Sequence, residues 1–338
     1  MLSIIWAIII LSILILAHEL GHFIVAKAAD IKIHEFSIGM GPLIFSRQKG
    51  ETQYSIRALP IGGYNRMAGE EPGEEDDPRG FNKKSVGVRM AVISAGSIMN
   101  FLLGVSFFII IFMMIGVPAD IPEIGTVVEG APAERAGFRP GDKVLAINDQ
   151  KINSWIDMVE IINNNAEKEL SFAVERDGEI ITLQVTPYLD EESGVGLIGV
   201  TQPVQKTGLL EAIYLGFKEA ITLIIFVLRY LVQMIAGTVA AEVAGPVGIV
   251  QMIGQAASFG LASLLSFSGI LSVQLGLFNL LPIPALDGSR LIFLALEGIR
   301  RKPVDPQKEG LVHLIGFALL MGLMILVTYQ DVMRLFNP

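Results

Sequence analysis

The sequence predicts a polytopic α-helical membrane protein. Four transmembrane helices are expected, with a membrane-associated β-hairpin loop between the first two and an extracytoplasmic α+β domain inserted after the second. Three observations carry this. Of 338 residues, 52% are hydrophobic and only 17% charged, against about a quarter charged in a soluble domain. The apolar residues cluster into long runs, and the mean hydropathy is +0.57. One stretch, residues 118–190, interrupts those runs with soluble-domain character: short strands, a GD turn at Gly141-Asp142 and a helical stretch near Ser154–Asn164.

The first span covers residues 2–26, whose most polar members before His18 are Ser3, Ser12 and Trp6. Its 25 residues suffice, since a helix needs about 20 to cross the hydrocarbon core. A cleaved signal peptide would want Lys or Arg ahead of the apolar run. Met1-Leu2-Ser3 offers none, so a retained helix is expected. Residues 31–66 follow, with short alternating runs, a QKGE turn at 48–51 and the glycine pairs Gly39/Gly41 and Gly62/Gly63. That pattern reads as a β-hairpin region, and an exposed edge there suits an extended peptide added as a strand. A plain cytoplasmic connector is the competing reading. EEPGEEDDP, residues 70–78, reads as a solvated loop.

The second span runs from about 90 to 117 and is closed by Pro118. Residues 191–260 are expected to form a linker and an interfacial helix. Within 209–237, Glu211, Lys218, Thr222, Arg229 and Gln233 fall in one narrow wedge when stepped at about 100° per residue. A single polar stripe on an apolar helix suits one lying in the interface; a fifth span whose stripe faces other helices stays open. The third span, 261–281, ends at Pro282, and the fourth covers about 311–329. Lys and Arg are concentrated in residues 27–89 and again in Arg290, Arg300, Arg301, Lys302 and Lys308. The positive-inside rule places both segments in the cytoplasm. Both termini and the 118–190 insert are then extracytoplasmic.

The first span holds a motif that hydrocarbon alone would not tolerate: HELGH, residues 18–22. Ionisable groups in a membrane helix are costly and mark function by default. His18 and His22, at i and i+4, share a helix face and can offer imidazoles to one ion. Glu19 lies beside them, placed to take a proton from water activated by that ion. Buried hydrogen-bonded histidines are the alternative. A catalytic zinc site usually has three protein ligands. His34 and His313 are candidates for the third, but Asp287 fits better. It lies in NLLPIPALDG, residues 279–288, just past the third span and at the cytoplasmic boundary where His22 is expected. Pro282 and Pro284 break the helix there, which is tolerated where backbone lines a protein cavity. A helix cap is the plainer reading of Asp287. With no cysteine, the chain has neither disulfides nor a thiolate metal site. No basic block with interleaved aromatics is present, so nucleic acid is excluded as a partner.

AHELGH in the first span, SAGSIMNF in the second, LPIPALDG after the third and the insert together resemble the site-2 protease family of intramembrane zinc metalloproteases, most closely the bacterial RseP type. The resemblance extends from the first helix to about Arg301. It implies Zn2+ held by His18, His22 and Asp287, with Glu19 as general base. The insert, through APAERAGFRPGDKVLAINDQKI, resembles a single PDZ domain. Such domains in the family bind peptide chain ends or exclude bulky ectodomains; GVGLIGV, 194–200, is either its peptide-binding strand or a linker. The family also has a β-loop where residues 31–66 lie.

Peptide hydrolysis needs donors for the developing oxyanion. Asn100 and Asn279 are candidates for that role or for gripping substrate backbone, each against a plain interhelical hydrogen bond. Gly62 and Gly63 are candidate substrate contacts on the hairpin, while Gly96 suits close helix packing. The expected activity is endoproteolysis of single-pass membrane proteins within the lipid of a bacterial cytoplasmic membrane, with anti-sigma factors or remnant signal peptides as substrates. A membrane metal transporter and a catalytically dead, membrane-tethered PDZ module are the alternatives; Glu19 between the histidines weighs against both.

Overall fold

A computed structural model describes residues 2–70, 77–191, 193–240 and 244–336. All but the ends of the acidic loop 70–78 lies outside the described residues. Helix α1 (Leu2–Ala28) is followed by two long bent strands, β1 (Ile33–Lys49) and β2 (Thr52–Met67), joined through Gly50 at φ +62°. The two strands fold into four short segments. Residues 43–49 pair antiparallel with 52–57, residues 53–56 run parallel to 35–38, and 33–38 pair antiparallel with 63–67. The turn is tied back to the end of α1, because Glu51 accepts from Lys27 Nζ at 2.8 Å and from both Arg79 terminal nitrogens at 2.8 and 2.9 Å. Helix α2 (Val86–Ile115) begins four residues before the expected start of the second span.

The chain then enters a compact unit, Phe112–Leu209. In order it contains β3 (Val117–Pro118), β4 (Thr126–Val127), α3 (Pro132–Arg135), β5 (Lys143–Ile147), β6 (Gln150–Lys151) and α4 (Trp155–Asn163). It continues with β7 (Leu170–Arg176), β8 (Glu179–Val185), β9 (Tyr188–Leu189), β10 (Gly196–Leu197), β11 (Val200–Thr201) and β12 (Val204–Gln205). The order β6-β5-β7-β8 makes a four-stranded antiparallel sheet. Helix α4 opens on a capping box, with Ser154 Oγ on the Asp157 N–H and the Asp157 carboxylate returning to the Ser154 N–H. Phe172, Ile147, Val144 and Met158 fill the core. This unit is wider than the expected 118–190. Residues 196–205, placed in the linker segment with 194–200 left open as a strand, pair back onto β9, β4 and β3.

The remaining helices are α5 (Leu209–Ile235), α6 (Pro246–Ser258), α7 (Leu261–Leu280), α8 (Asp287–Arg300) and α9 (Pro306–Phe336). Among the described residues, four helices are long and apolar enough to cross a membrane: α1, α2, α7 and α9. With the β1–β2 hairpin, α5, α6 and α8 they make up the second compact unit, residues 1–111 and 210–338. Helix α6 was not anticipated. Its first turn is capped by Asp331 of α9, which accepts from the Gly245 N–H at 3.2 Å and the Gly248 N–H at 2.8 Å.

In lipid, apolar side chains gain little by leaving the solvent, so helices are held by close backbone approach. Glycine supplies it. A Cβ on Gly21 would lie 2.7 Å from the Ala95 carbonyl carbon and 2.9 Å from Met99 Cβ. That explains the glycine inside HELGH: it seats α1 on α2. Gly276 of α7 packs the same way against the Ser97 carbonyl of α2, where a Cβ would stand at 2.8 Å.

Candidate metal centre

The i, i+4 spacing stacks His18 and His22 on one face of α1 with ring centroids 4.7 Å apart. Their Nε2 atoms are separated by 3.2 Å. Asp287, the first residue of α8, brings Oδ2 to 3.2 Å from His18 Nε2 and 3.3 Å from His22 Nε2. Three donor atoms therefore form a nearly equilateral triangle. A tetrahedral zinc with bonds of about 2.0–2.1 Å requires ligand–ligand edges of roughly 3.3 Å. The triangle fits that ion.

The hydrogen bonds around it agree. His22 Nδ1 lies 2.8 Å from the Val92 carbonyl, so Nδ1 carries the proton and Nε2 a lone pair. Asp287 Oδ2 is buried with no well-directed hydrogen-bond partner among the described residues. Facing lone pairs repel unless positive charge stands between them, as imidazole protons or as a cation. Burial alone disfavours the Asp287 carboxylate anion, and a cation seated between the three lone pairs is what would keep it charged. A buried carboxylate anion is the form that binds a divalent cation. Space for one is kept by Gly96, where a Cβ would stand 2.7 Å from His18 Cε1 and 2.8 Å from His22 Cε1.

Asp287 reaches this position through the LPIP segment. Ala285 adopts φ +76°, and its N–H donates to His313 Nδ1 at 3.2 Å. A Cβ on Gly288 would collide with the Leu280 carbonyl carbon at 2.5 Å, so only glycine lets α8 start this close to the end of α7. A Cβ on Gly316 of α9 would stand 2.7 Å from the Pro284 carbonyl carbon, so α9 braces the same segment.

Glu19 faces the hairpin. Asn65 of β2 donates from Nδ2 to Glu19 Oε2 at 2.9 Å and to the Glu19 backbone carbonyl at 2.6 Å. A Cβ on Gly63 would lie 3.2 Å from Glu19 Cγ. The 63–67 segment thus runs beside the carboxylate, and its second edge has no ladder partner among the described residues.

Of the residues singled out in the sequence, His18, His22 and Asp287 converge here, and Glu19, next to His18 in the chain, faces the hairpin. Asn100 joins them, with Nδ2 3.4 Å from His18 Nδ1. Gly63 backs Glu19, whereas Gly62, at φ +97°, faces Met40. Asn279 is half-buried within α7, and its side chain makes no hydrogen bond to a described residue. Neither His34 nor His313 belongs to the donor triangle. Sequence reading missed Asn65 and the Val92 carbonyl. Asn65 stands in GGYNRM, where asparagine is ordinary turn chemistry, and a main-chain carbonyl leaves no trace in residue type.

A profile of peptidase family M50 matches residues 6–323. The zinc metalloprotease RasP of Geobacillus kaustophilus is 37% identical, the match covering 99% of this chain and 98% of that protein. The Bacillus subtilis protein named regulator of sigma-W protease RasP is 34% identical over 97% of this chain and 98% of its own. Among solved structures, the PDZ domain of an SdrC-like protein from Listeria monocytogenes matches 25% of this chain and 90% of its own. Its identity is 17% and its TM-score 0.23.

Proposed function

The chain belongs to peptidase family M50 and is a zinc metalloprotease of the membrane, and from that premise we propose that His18, His22 and Asp287 are its zinc ligands and Glu19 its general base. The observation that supports this is the triangle of donor atoms with edges of 3.2, 3.2 and 3.3 Å beside a carboxylate held by Asn65. Zinc bound there supplies an acidified water and polarises the scissile carbonyl.

The protein's own groups do the rest. Glu19 accepts the proton of the attacking water and hands it to the leaving amine nitrogen as the C–N bond breaks. Asn65 keeps one carboxylate oxygen hydrogen-bonded, which fixes where the other points. A transmembrane helix bonds its own carbonyls, so it must unwind before cleavage, and the unwound segment needs new backbone partners. The unpaired edge of 63–67 is our proposed site for it: an extended segment added there by strand pairing passes Glu19. Gly63 allows that approach because it carries no side chain.

We place the site toward the cytoplasmic face of a bacterial cytoplasmic membrane, and the unit Phe112–Leu209 outside it, from the Lys and Arg of residues 27–89 and 290–308. Single-pass anti-sigma factors and remnant signal peptides are the substrate classes we propose. A peptide chain end is the proposed ligand of the outer unit.

The test is zinc content measured alongside cleavage of a model transmembrane segment, wild type beside Glu19→Gln. Stoichiometric zinc in both and cleavage only by the wild type is expected. An active Glu19→Gln enzyme would remove Glu19 from the chemistry, and wild-type protein without zinc would remove the site.

A further inference from the structure

Asn100 lies on α2, fully buried at 0% exposure. Its backbone carbonyl accepts from Ser272 Oγ of α7 at 2.8 Å, and a Cβ on Gly276 of α7 would stand 3.3 Å from its own Cβ. The residue is therefore fixed where α1, α2 and α7 meet. Its Nδ2 lies 3.4 Å from His18 Nδ1, while its Oδ1 is buried with no partner among the described residues.

The two imidazoles need the same thing. His22 donates Nδ1–H to the Val92 carbonyl and leaves Nε2 as the free lone pair. For His18 to present Nε2 in the same way, its Nδ1 must carry the proton, and that donor needs an acceptor. An amide nitrogen cannot accept, but an amide oxygen can. The two ends of an asparagine amide are isosteric and interchange by a half-turn of the terminal group. Turning Asn100 exchanges one unpartnered buried atom for another, so it costs nothing in that count. At His18 it replaces two opposed donors with a hydrogen bond.

We infer that Asn100 is the positioning residue of the metal site: Oδ1 accepts the Nδ1–H of His18, fixing the tautomer and ring angle that present Nε2 to zinc. It does for His18 what the Val92 carbonyl does for His22. Its amide oxygen is therefore committed to the protein, and its main effect is on metal binding, not on the developing oxyanion. Because Ser272 and Gly276 hold it from α7, the helix leading to Asp287 also steadies the orientation of the ligand opposite. This inference rests on the zinc-site reading above.

The experiment uses the full-length protein in detergent, stripped of metal. Zinc affinity is read by competition with a chromophoric chelator, ligand-field absorption is read with cobalt, and thermal unfolding is read without metal. Asn100→Ala should weaken zinc binding about 10- to 100-fold and alter the cobalt spectrum, with the metal-free unfolding temperature little changed. Asn100→Leu keeps the volume without an acceptor and should behave like Asn100→Ala; it also serves if the alanine variant fails to fold. Asn100→Asp restores an acceptor and should return affinity to within about threefold of wild type.

If Asn100→Ala and Asn100→Leu bind zinc as wild type does while kcat falls, Asn100 is a donor to substrate and the inference is wrong. If Asn100→Asp is as weak as Asn100→Ala, the residue only packs, and the inference is equally wrong. Wild-type protein that takes up no stoichiometric zinc overturns the underlying site; wild-type binding with unaffected variants overturns only the role of Asn100.

Discussion

A methyl group at residue 96 would stand inside the first contact shell of both imidazoles, 2.7 Å from His18 Cε1 and 2.8 Å from His22 Cε1. Alanine is nevertheless the better helix former there, by about 0.8–1.0 kcal/mol. Gly96→Ala thus sets helix propensity against metal binding. We expect α2 to stay folded, and zinc affinity in a chelator competition to drop by at least about tenfold because the rings must turn away from Asp287. Asn65 gives the complementary case. It holds Glu19 and touches none of the three proposed ligands, so Asn65→Ala should lower kcat about 10- to 100-fold and leave zinc affinity unchanged. Equal losses in both quantities would mean that Asn65 shapes the metal site itself. The legibility of these residues in the sequence divides along the same line. His18 and His22 declare themselves by spacing on one helix face, Glu19 by standing next to them, and Asp287 by its place after a proline-broken span. Asn65, 46 residues from Glu19 in sequence, and the Val92 carbonyl, 70 residues from His22, are joined to the site only by the tertiary fold.

The placement of elements bears on a question that hydropathy left open. Helices α1 and α7 both approach the donor triangle from their C-terminal sides, so they run parallel. One crossing by α2 between them satisfies this. A crossing by α5 would reverse α7 unless α6 crossed back, and 13 residues of α6 span about 20 Å, short of a core about 30 Å thick. We therefore propose that α5 lies in the interface. Its exposed Glu211, Lys218, Thr222, Arg229 and Gln233 form one polar stripe, and Leu210, Phe217, Ile221 and Val232 stand exposed on the apolar flank. The chain has no native cysteine, so Lys218→Cys and Arg229→Cys can be tested alone. Both should react with an impermeant maleimide from the same side of sealed vesicles, whereas labelling from opposite sides would restore a fifth span.

The hairpin makes a second element-scale prediction. Hydrogen bonds from Arg79 and Lys27 hold the Glu51 carboxyl at about 2, below its ordinary value of 4.5. A depressed folded-state value stabilises above the unfolded one, so the tie is complete above pH 4.5 and is lost as pH falls toward 2. Protection of the amides of residues 48–52, taken relative to the intrinsic exchange rate at each pH, should fall across that window in the wild type. In Glu51→Gln that protection should already be reduced at neutral pH and should show no further step between pH 4.5 and 2. A strand at 194–200 was only one of two open readings of the sequence, and the existence of α6 was not legible beforehand. Strands of two residues carry no periodicity, and α6 depends on a cap from Asp331, 83 residues beyond Gly248 in sequence.

At the scale of the whole molecule, the chain divides its labour between two units, and every residue given a role in the metal site lies in residues 1–111 or 210–338. The intervening unit, Phe112–Leu209, has a core of its own built on Phe172, Val144, Ile147 and Met158. Its ends are brought together by the pairing of Val117–Pro118 with Val204–Gln205, and paired strands lie about 4.7–4.9 Å apart. A segment whose two ends are that close can be removed and the gap closed by a few glycines without moving the helices on either side. Replacing residues 119–203 with a short glycine linker should therefore leave zinc stoichiometry at one per chain and preserve cleavage of a minimal transmembrane substrate. What should change is discrimination. If the unit Phe112–Leu209 filters or senses substrates, the excised enzyme should cut a substrate with a folded extracytoplasmic domain as readily as one without. The wild type should prefer the shortened form. Paired assays of the two substrates on the two enzymes measure this as a ratio of ratios, which is insensitive to the amount of active protein. A ratio of one would show that this unit plays no part in selection. Loss of zinc on excision would show that the metal site depends on a unit that contributes none of its residues.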